Sequence, residues 1–190
     1  MKILYLECAM GAAGDMLMGA LLELHPDPAG FLRRLNGLGI PGVTVTAERT
    51  HTQGIAGTHM HVLVHGQEEE FHHDHHDHHD HHDHHDHQGH PDHPDHDHHD
   101  HHDHDHHHSG MHEITHVIQA LELPDQVRRD AVAVYESIAQ AEAHAHGVPV
   151  TEVHFHEVGT LDAVTDVVGV CLLLHELQVE EVLASPVHVG

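Results

Sequence analysis

No stretch limits the fold of this chain more than residues 66–110. There Phe71-His72-His73-Asp74 opens a His-His-Asp repeat that runs in register to Asp86 and continues past Gln88-Gly89, in a looser His/Asp/Pro form, to His106-His107-His108. The segment holds 22 of the 35 histidines and 14 of the 32 acidic residues, and none of the six Lys and Arg. Apart from Phe71 it has no large apolar side chain whose burial could offset the entropy of ordering its backbone. It is therefore expected to be disordered and to add nothing to a core. Without it about 145 of the 190 residues remain, enough for one core. The expected organisation is an N-terminal α/β portion (1–65), the tract (66–110), and a helical and α/β portion (111–190) that packs with 1–65 as one domain.

Neutral imidazole is the commonest protein ligand for Zn, Ni, Cu and Co, and a chain dense in imidazoles can wrap a cation in several ways. The candidate metal ligands are His72, His73, His75, His76, His78, His79, His81, His82, His84, His85, His87, His98, His99, His101, His102, His106, His107 and His108. The interleaved Asp residues keep the tract soluble and add oxygen donors. A solvated acidic linker or a tag is the bland reading, but a tag is normally a short terminal run. The tract alone does not choose the metal, because Cu(II) outcompetes Ni(II) on such ligands.

The formal charge of −26 divides into −14 within the tract and −12 elsewhere, a surface that repels nucleic acid and anionic lipid. Cys8 and Cys171 stand far apart and give neither a disulfide framework nor a CxxC site, which fits a reducing compartment. The apolar run at Met1–Leu6 is too short for a signal peptide, and no stretch approaches a membrane span. A cytoplasmic protein is expected, with no nucleic acid and no membrane among its partners.

Ile3–Leu6 reads as a buried strand. Cys8-Ala9-Met10-Gly11-Ala12-Ala13-Gly14-Asp15 then leads into a helix with Met16, Leu17, Ala20, Leu21 and Leu24 on one face. Strand, glycine turn and helix can offer backbone N–H groups to an anion, which makes Gly11 and Gly14 candidate cofactor-binding positions. The loop is neither a Walker A nor a GxGxxG motif, and glycines that serve only a tight turn explain it equally. Glu7 and Asp15 sit where ligands often lie in α/β folds.

A helix over 29–36 should bury Phe31, Leu32 and Leu35. Strands are expected over 43–47 and 58–64, the second with Met60, Val62 and Val64 on one face and His59, His61 and His65 on the other. Those histidines are either a docking point for metal or the wet side of an antiparallel strand. After the tract come a helix over 112–121 and a longer one opened by Pro124-Asp125. Its apolar stripe is Val127, Ala131, Val134, Ile138, Ala141 and Ala145, with Gly147 as its stop. His144 and His146 suit a helix C-terminus without any metal.

In Val153–Asp166, His154 and His156 project from one face of an extended segment. Thr160 is a natural N-cap, and Asp162 and Asp166 share one side of the following helix at i and i+4. A His-x-His-Glu turn facing an acidic helix edge has the composition of a divalent-metal site. The structural alternative makes Asp162 a dipole partner and His156 a core residue. The candidate catalytic residues are Asp15, His154, His156, Glu157, Asp162 and Asp166. The expected fold is α/β (or α+β), a mixed sheet with packed helices interrupted by the tract, and a last strand over 181–186 without a closing helix suggests truncation at the C-terminus.

Four motifs in order, Leu4–Met16, Leu38–Val43, His154–Thr160 and Ser185-Pro186-Val187-His188-Val189-Gly190, together resemble the LarC family of nickel insertion proteins. The resemblance covers the chain outside the tract, and a histidine-rich segment at this place is a family habit. It implies CTP-dependent insertion of Ni(II) into pyridinium-3,5-bisthiocarboxylic acid mononucleotide, with two Ni–S bonds and one Ni–C bond formed. The product is the nickel-pincer cofactor used by lactate racemase, and the enzyme class is a lyase, a nickel chelatase or cyclometallase. It also implies CTP with Mg or Mn, bound mainly by a C-terminal region absent here. The partners implied are the mononucleotide, a C-terminal half of the same protein, and further copies in a homo-oligomer. Glu7 stands where the family often has the shorter Asp. The alternatives from another class are a non-catalytic nickel or zinc store and a metallochaperone.

Overall fold

The computed structural model describes residues 1–52, 54–68, 109–155 and 157–189, with the side chains of Ser109 and Glu157 also excepted. The expectations for the tract between 69 and 108, including all 18 candidate histidines there, and those for His156 and Gly190, lie outside the described residues.

In chain order the elements are β1 (Ile3–Leu6), α1 (Gly14–Leu24), α2 (Pro28–Gly37), β2 (Val43–Thr52), β3 (Ile55–Val64), β4 (Ser109–Gly110), α3 (Met111–Ala120), α4 (Asp125–His146), β5 (His154–Phe155), α5 (Leu161–Glu176) and β6 (Glu181–Ala184). This is the expected α/β class. The described strands form three separate pairs: β1 with β6 in parallel, and β2 with β3 and β4 with β5 antiparallel. Among the described residues no helix is long and apolar enough to cross a membrane.

The caps follow local chemistry. Asp27 accepts the Gly30 N–H at 2.9 Å with Pro28 at the first helical position of α2, Thr160 accepts the Ala163 N–H at 3.3 Å to open α5, and Gly147 ends α4 at φ 67°. Lys2 Nζ donates to the Leu177 carbonyl at 2.6 Å, placing a cation at the C-terminal end of α5. The Asn36 side chain of α2 accepts the Val45 N–H and donates to the Val45 carbonyl, so it serves β2 as a neighbouring strand would.

Two helix faces differ from expectation. On α4 the buried line is Val127, Ala131, Tyr135, Ala139 and Ala143, while Val134 is 38 % exposed. A strict spacing of four carries the seam onto Tyr135, whose ring packs on Phe155 and whose hydroxyl donates to the Val158 carbonyl at 3.0 Å. On α1 the core takes Met18, Leu21 and Leu22. The expected face of Met16, Leu17, Ala20, Leu21 and Leu24 exists, but it lines an open groove of about 250 Å³ beneath Leu4 and Leu6 of β1. The core joins both sides of the tract: Met18 and Leu22 of α1, Phe31 and Leu35 of α2, Val45, Met60 and Val62 of the hairpin, Ile118, Tyr135 and Phe155, and Val164, Val168 and Leu173 of α5.

Candidate functional site

The site grows from the close approach of α1 to α5. Gly169 of α5 leaves room for Met18, since a Cβ there would stand 2.5 Å from the Met18 sulfur. Gly19 lets α1 sink onto β3, within 2.4 Å of the Thr58 carbonyl by the same measure. At the first turn, Gly14 makes space for Asp166. The parallel pairing of β1 with β6 continues into the loop ahead of α1: Ser185 Oγ accepts the Cys8 N–H at 2.8 Å, and the His188 and Gly11 N–H groups both donate to the Cys8 carbonyl. The first and fourth motifs thus meet at one glycine loop, with Asp166 of α5 against it.

Beside that loop Ala13, Gly14, Asp15, His59, Met60, Val62, Glu68, Asp162 and Asp166 line a cavity of about 240 Å³. Asp15, Asp162 and Asp166 are each half-buried. Asp166 accepts a hydrogen bond from the Asp15 amide, yet burial first, and then the charges of Asp162 and Asp15, push its carboxyl up to about 7. Its Oδ1 is buried with no hydrogen-bond partner, the condition a cation or a proton would relieve. Burial, reinforced by Asp166 and Asp162, also raises the Tyr135 hydroxyl, so α4 feels the same negative field. Among the described residues no three His, Cys, Asp or Glu side chains stand at the spacing of a finished metal shell. The arrangement is a half-solvated carboxylate pocket in which one buried oxygen has no hydrogen-bond partner.

Of the residues singled out in the sequence, the structure brings Asp15, Asp162, Asp166 and Gly14 to this cavity. Gly11 and Glu7 line the groove beneath β1 instead. His154 is exposed, pairs through its backbone with Gly110, and is not part of the cavity wall. Two further wall residues are His59, one of the β3 histidines read as a possible docking point for metal, and Glu68, which was not singled out. The alternation of histidines along β3 was the signal for the first; nothing local marks the second.

A second polar cluster is structural. His25 accepts the Asp27 N–H on Nδ1 at 3.0 Å, so its other nitrogen, Nε2, carries the proton it shares with Glu176 at 2.9 Å. Arg34 grips the same carboxylate through Nε at 2.9 Å and through its terminal nitrogen. Burial raises the Glu176 carboxyl, but Arg34 and His25 outweigh it and hold the group below its usual range. The triad ties α1, α2 and the end of α5 together.

No solved structure matches the chain. The chain is 35 % identical to the pyridinium-3,5-bisthiocarboxylic acid mononucleotide nickel insertion protein of Acetivibrio thermocellus, 38 % to that of Lactiplantibacillus plantarum and 31 % to that of Geobacillus kaustophilus. Each alignment takes in 100 % of this chain and, in the same order, 40 %, 41 % and 39 % of the relative. The chain therefore spans about two-fifths of the length of the curated relatives it matches. Residues 4–190 match the family described as Nickel insertion protein, and the chain belongs to that family.

Proposed function

We propose that this chain binds Ni(II) as substrate and takes part in inserting it into pyridinium-3,5-bisthiocarboxylic acid mononucleotide, completing the nickel-pincer cofactor. The observation that carries the reading is the convergence of Asp15, Asp162 and Asp166 in one cavity, with one carboxylate oxygen buried and unpartnered. Hard oxygen donors hold Ni(II) less firmly than soft sulfur ligands do, so an ion resting on carboxylates passes downhill to the two thiocarboxylates of the mononucleotide. Forming the Ni–C bond frees the ring proton, and the Asp166 carboxylate, once the ion has passed to sulfur, is placed to accept it. His154, His156 and Glu157, which precede α5 in the sequence, complete the proposed catalytic set.

The dependence on CTP with Mg or Mn belongs to the same proposal. Three carboxylates repel a bare triphosphate, so a nucleotide near Gly11 and Gly14 fits only with a cation between them; its main binding region lies in the part of the relatives this chain does not span. That polypeptide is the proposed partner, and the groove beneath β1 and the exposed Ile3, Tyr5 and Leu183 are the apolar surface it would cover; a homo-oligomer is the competing use of that surface. In this reading 1–65 and 111–190 act as one body, 66–110 is the imidazole-rich supply line, the compartment is the cytoplasm and the class is a lyase that forms metal–ligand bonds.

The test is cofactor formation in vitro from purified mononucleotide, Ni(II) and CTP, with this chain alone and with the remainder of a relative's sequence added. Product in either mixture supports the reading, and no product in both sinks it.

A further inference from the structure

β1 has the composition of a strand from the middle of a sheet, yet it lies at an edge. Ile3-Leu4-Tyr5-Leu6 is apolar at every position, the run shown by parallel strands that are covered on both faces. It pairs in parallel with β6, and among the described residues that sheet stops at two strands. Leu4 packs against the core, so Ile3 and Tyr5 alternate to the opposite face, where Tyr5 stands beside Leu183 in register. That face is open: Tyr5 is 59 % and Leu183 47 % exposed.

The ladder fixes where the backbone groups of β1 point. The Lys2 carbonyl accepts from Glu181 and the Leu6 carbonyl from Ser185, so residues 2, 4 and 6 direct their hydrogen-bonding groups to β6. In a parallel strand the intervening residues face the other way, which turns the amides and carbonyls of Ile3 and Tyr5 to the open edge. No charged side chain guards that edge within β1. The outer edge of β6 differs, since the strand opens on Glu181 beside Glu180, charges of the kind that discourage strand pairing.

We propose that the part of the relatives that this chain does not span adds a strand to the open edge of β1 and covers Ile3, Tyr5 and Leu183, which makes β1 the central strand its sequence describes. The alignments take in 40 %, 41 % and 39 % of three relatives, so about three-fifths of each is free to supply that cover. The path of the chain favours it. The Ser185 and His188 N–H groups donate to the Leu6 and Cys8 carbonyls, so residues 185–188 keep beside β1. The match takes in the N-terminal part of the relatives, whose chain runs on from this place, and a tethered strand reaches the edge at high effective concentration. A second copy is the weaker occupant, because two chains of charge −26 repel each other. The contact rests on the remainder of the relatives being this chain's partner, and on nothing about nickel.

The test compares this full chain with the same chain continued past Gly190 by the remaining sequence of the Acetivibrio thermocellus relative. Backbone amide exchange is read residue by residue by NMR, with no nickel, nucleotide or mononucleotide present, so its outcome is separate from that of the cofactor-forming assay. The Ile3 and Tyr5 amides are expected to exchange at least about tenfold more slowly in the continued chain, while Leu4, whose amide faces β6, is protected in both. Tyr5→Glu/Leu183→Glu places charge on the open face without entering the core. It is expected to leave the Tm of this chain unchanged and to remove most of the Ile3 protection in the continued chain. Ile3 and Tyr5 exchanging alike in the two proteins, protection at Val182 and Ala184 in their place, protection in this chain alone that grows with its concentration, or protection indifferent to the double substitution overturns the proposal.

Discussion

Gly14 and Asp166 compete for the same space: a Cβ built on Gly14 would stand 2.5 Å from Asp166 Oδ2 and 2.6 Å from its Cβ. Glycine here sets the distance between the first turn of α1 and the acidic edge of α5. Two effects oppose each other in Gly14→Ala. Reduced freedom of the unfolded chain would add roughly 0.4–1 kcal/mol, whereas forcing a methyl into an occupied contact costs about 1–3 kcal/mol. The clash wins, because both neighbours are bound to helices. Gly14→Ala is expected to lower stability by about 1–2 kcal/mol in urea unfolding, whereas a gain in stability would show that α1 and α5 separate freely.

Asp166 also fixes a pH dependence. Its folded-state carboxyl is pushed up to about 7, against an ordinary 3.8, first by burial and then by the charges of Asp162 and Asp15. A raised carboxyl contributes stability that is fully present below the unfolded value near 4 and is lost as pH rises through 7. Asp166→Asn should therefore match the wild type near pH 4 and exceed it at pH 8, by roughly 2–4 °C in Tm for a chain of this size. Calorimetry on the metal-free proteins at the two pH values checks the sign. Wild type gaining on the variant as pH rises would mean that the Asp15 amide dominates and the carboxylate is stabilised.

Tyr135 carries the field of the site into the core. Its hydroxyl holds the Val158 carbonyl in the turn that leads to Thr160, the N-cap of α5. Tyr135→Phe leaves that carbonyl without its partner, a loss of about 1–2 kcal/mol, and Thr160→Ala removes a cap for about 1 kcal/mol. Both act on the first turn of α5, which bears Asp162, so the combined variant should lose a sum that departs from additivity. Chemical denaturation of the two single variants and the double one measures the coupling; strict additivity would place them in independent units.

Local chemistry made much of this legible. Thr160, Gly147 and the Asp162–Asp166 spacing are read from the chain because caps and helical periodicity depend on a few adjacent residues. The phase of α1 was not, for the helix is apolar on nearly every side: Met16, Leu17, Met18, Ala20, Leu21 and Leu22 all qualify. Gly19 decides which face meets β3, through a contact with Thr58 that only the tertiary structure supplies. The same holds at the cavity. Gly14 reads as a turn glycine until Asp166 is seen against it, and Glu68 belongs to the wall only because the His65–Gly66 reversal brings it back.

The roles proposed for the carboxylate cavity and the histidine tract make different demands on nickel, and that difference is measurable. If Asp15 and Asp162 hold the ion during insertion, Asp15→Asn and Asp162→Asn each remove a charged oxygen donor. Either should lower cofactor formation about 10–100-fold even when nickel is abundant, because saturation of the tract does not restore a missing ligand. Removal of 69–108 should behave oppositely, with little loss at abundant nickel and a marked loss when nickel is scarce, since imidazoles tethered to the same chain would raise the local supply without forming part of the site. The measurement is product formed against nickel concentration for the three variants in the reconstituted full-length system. A deletion that abolishes product at every nickel concentration, with the two Asn variants active, would move the chemistry from the cavity to the tract.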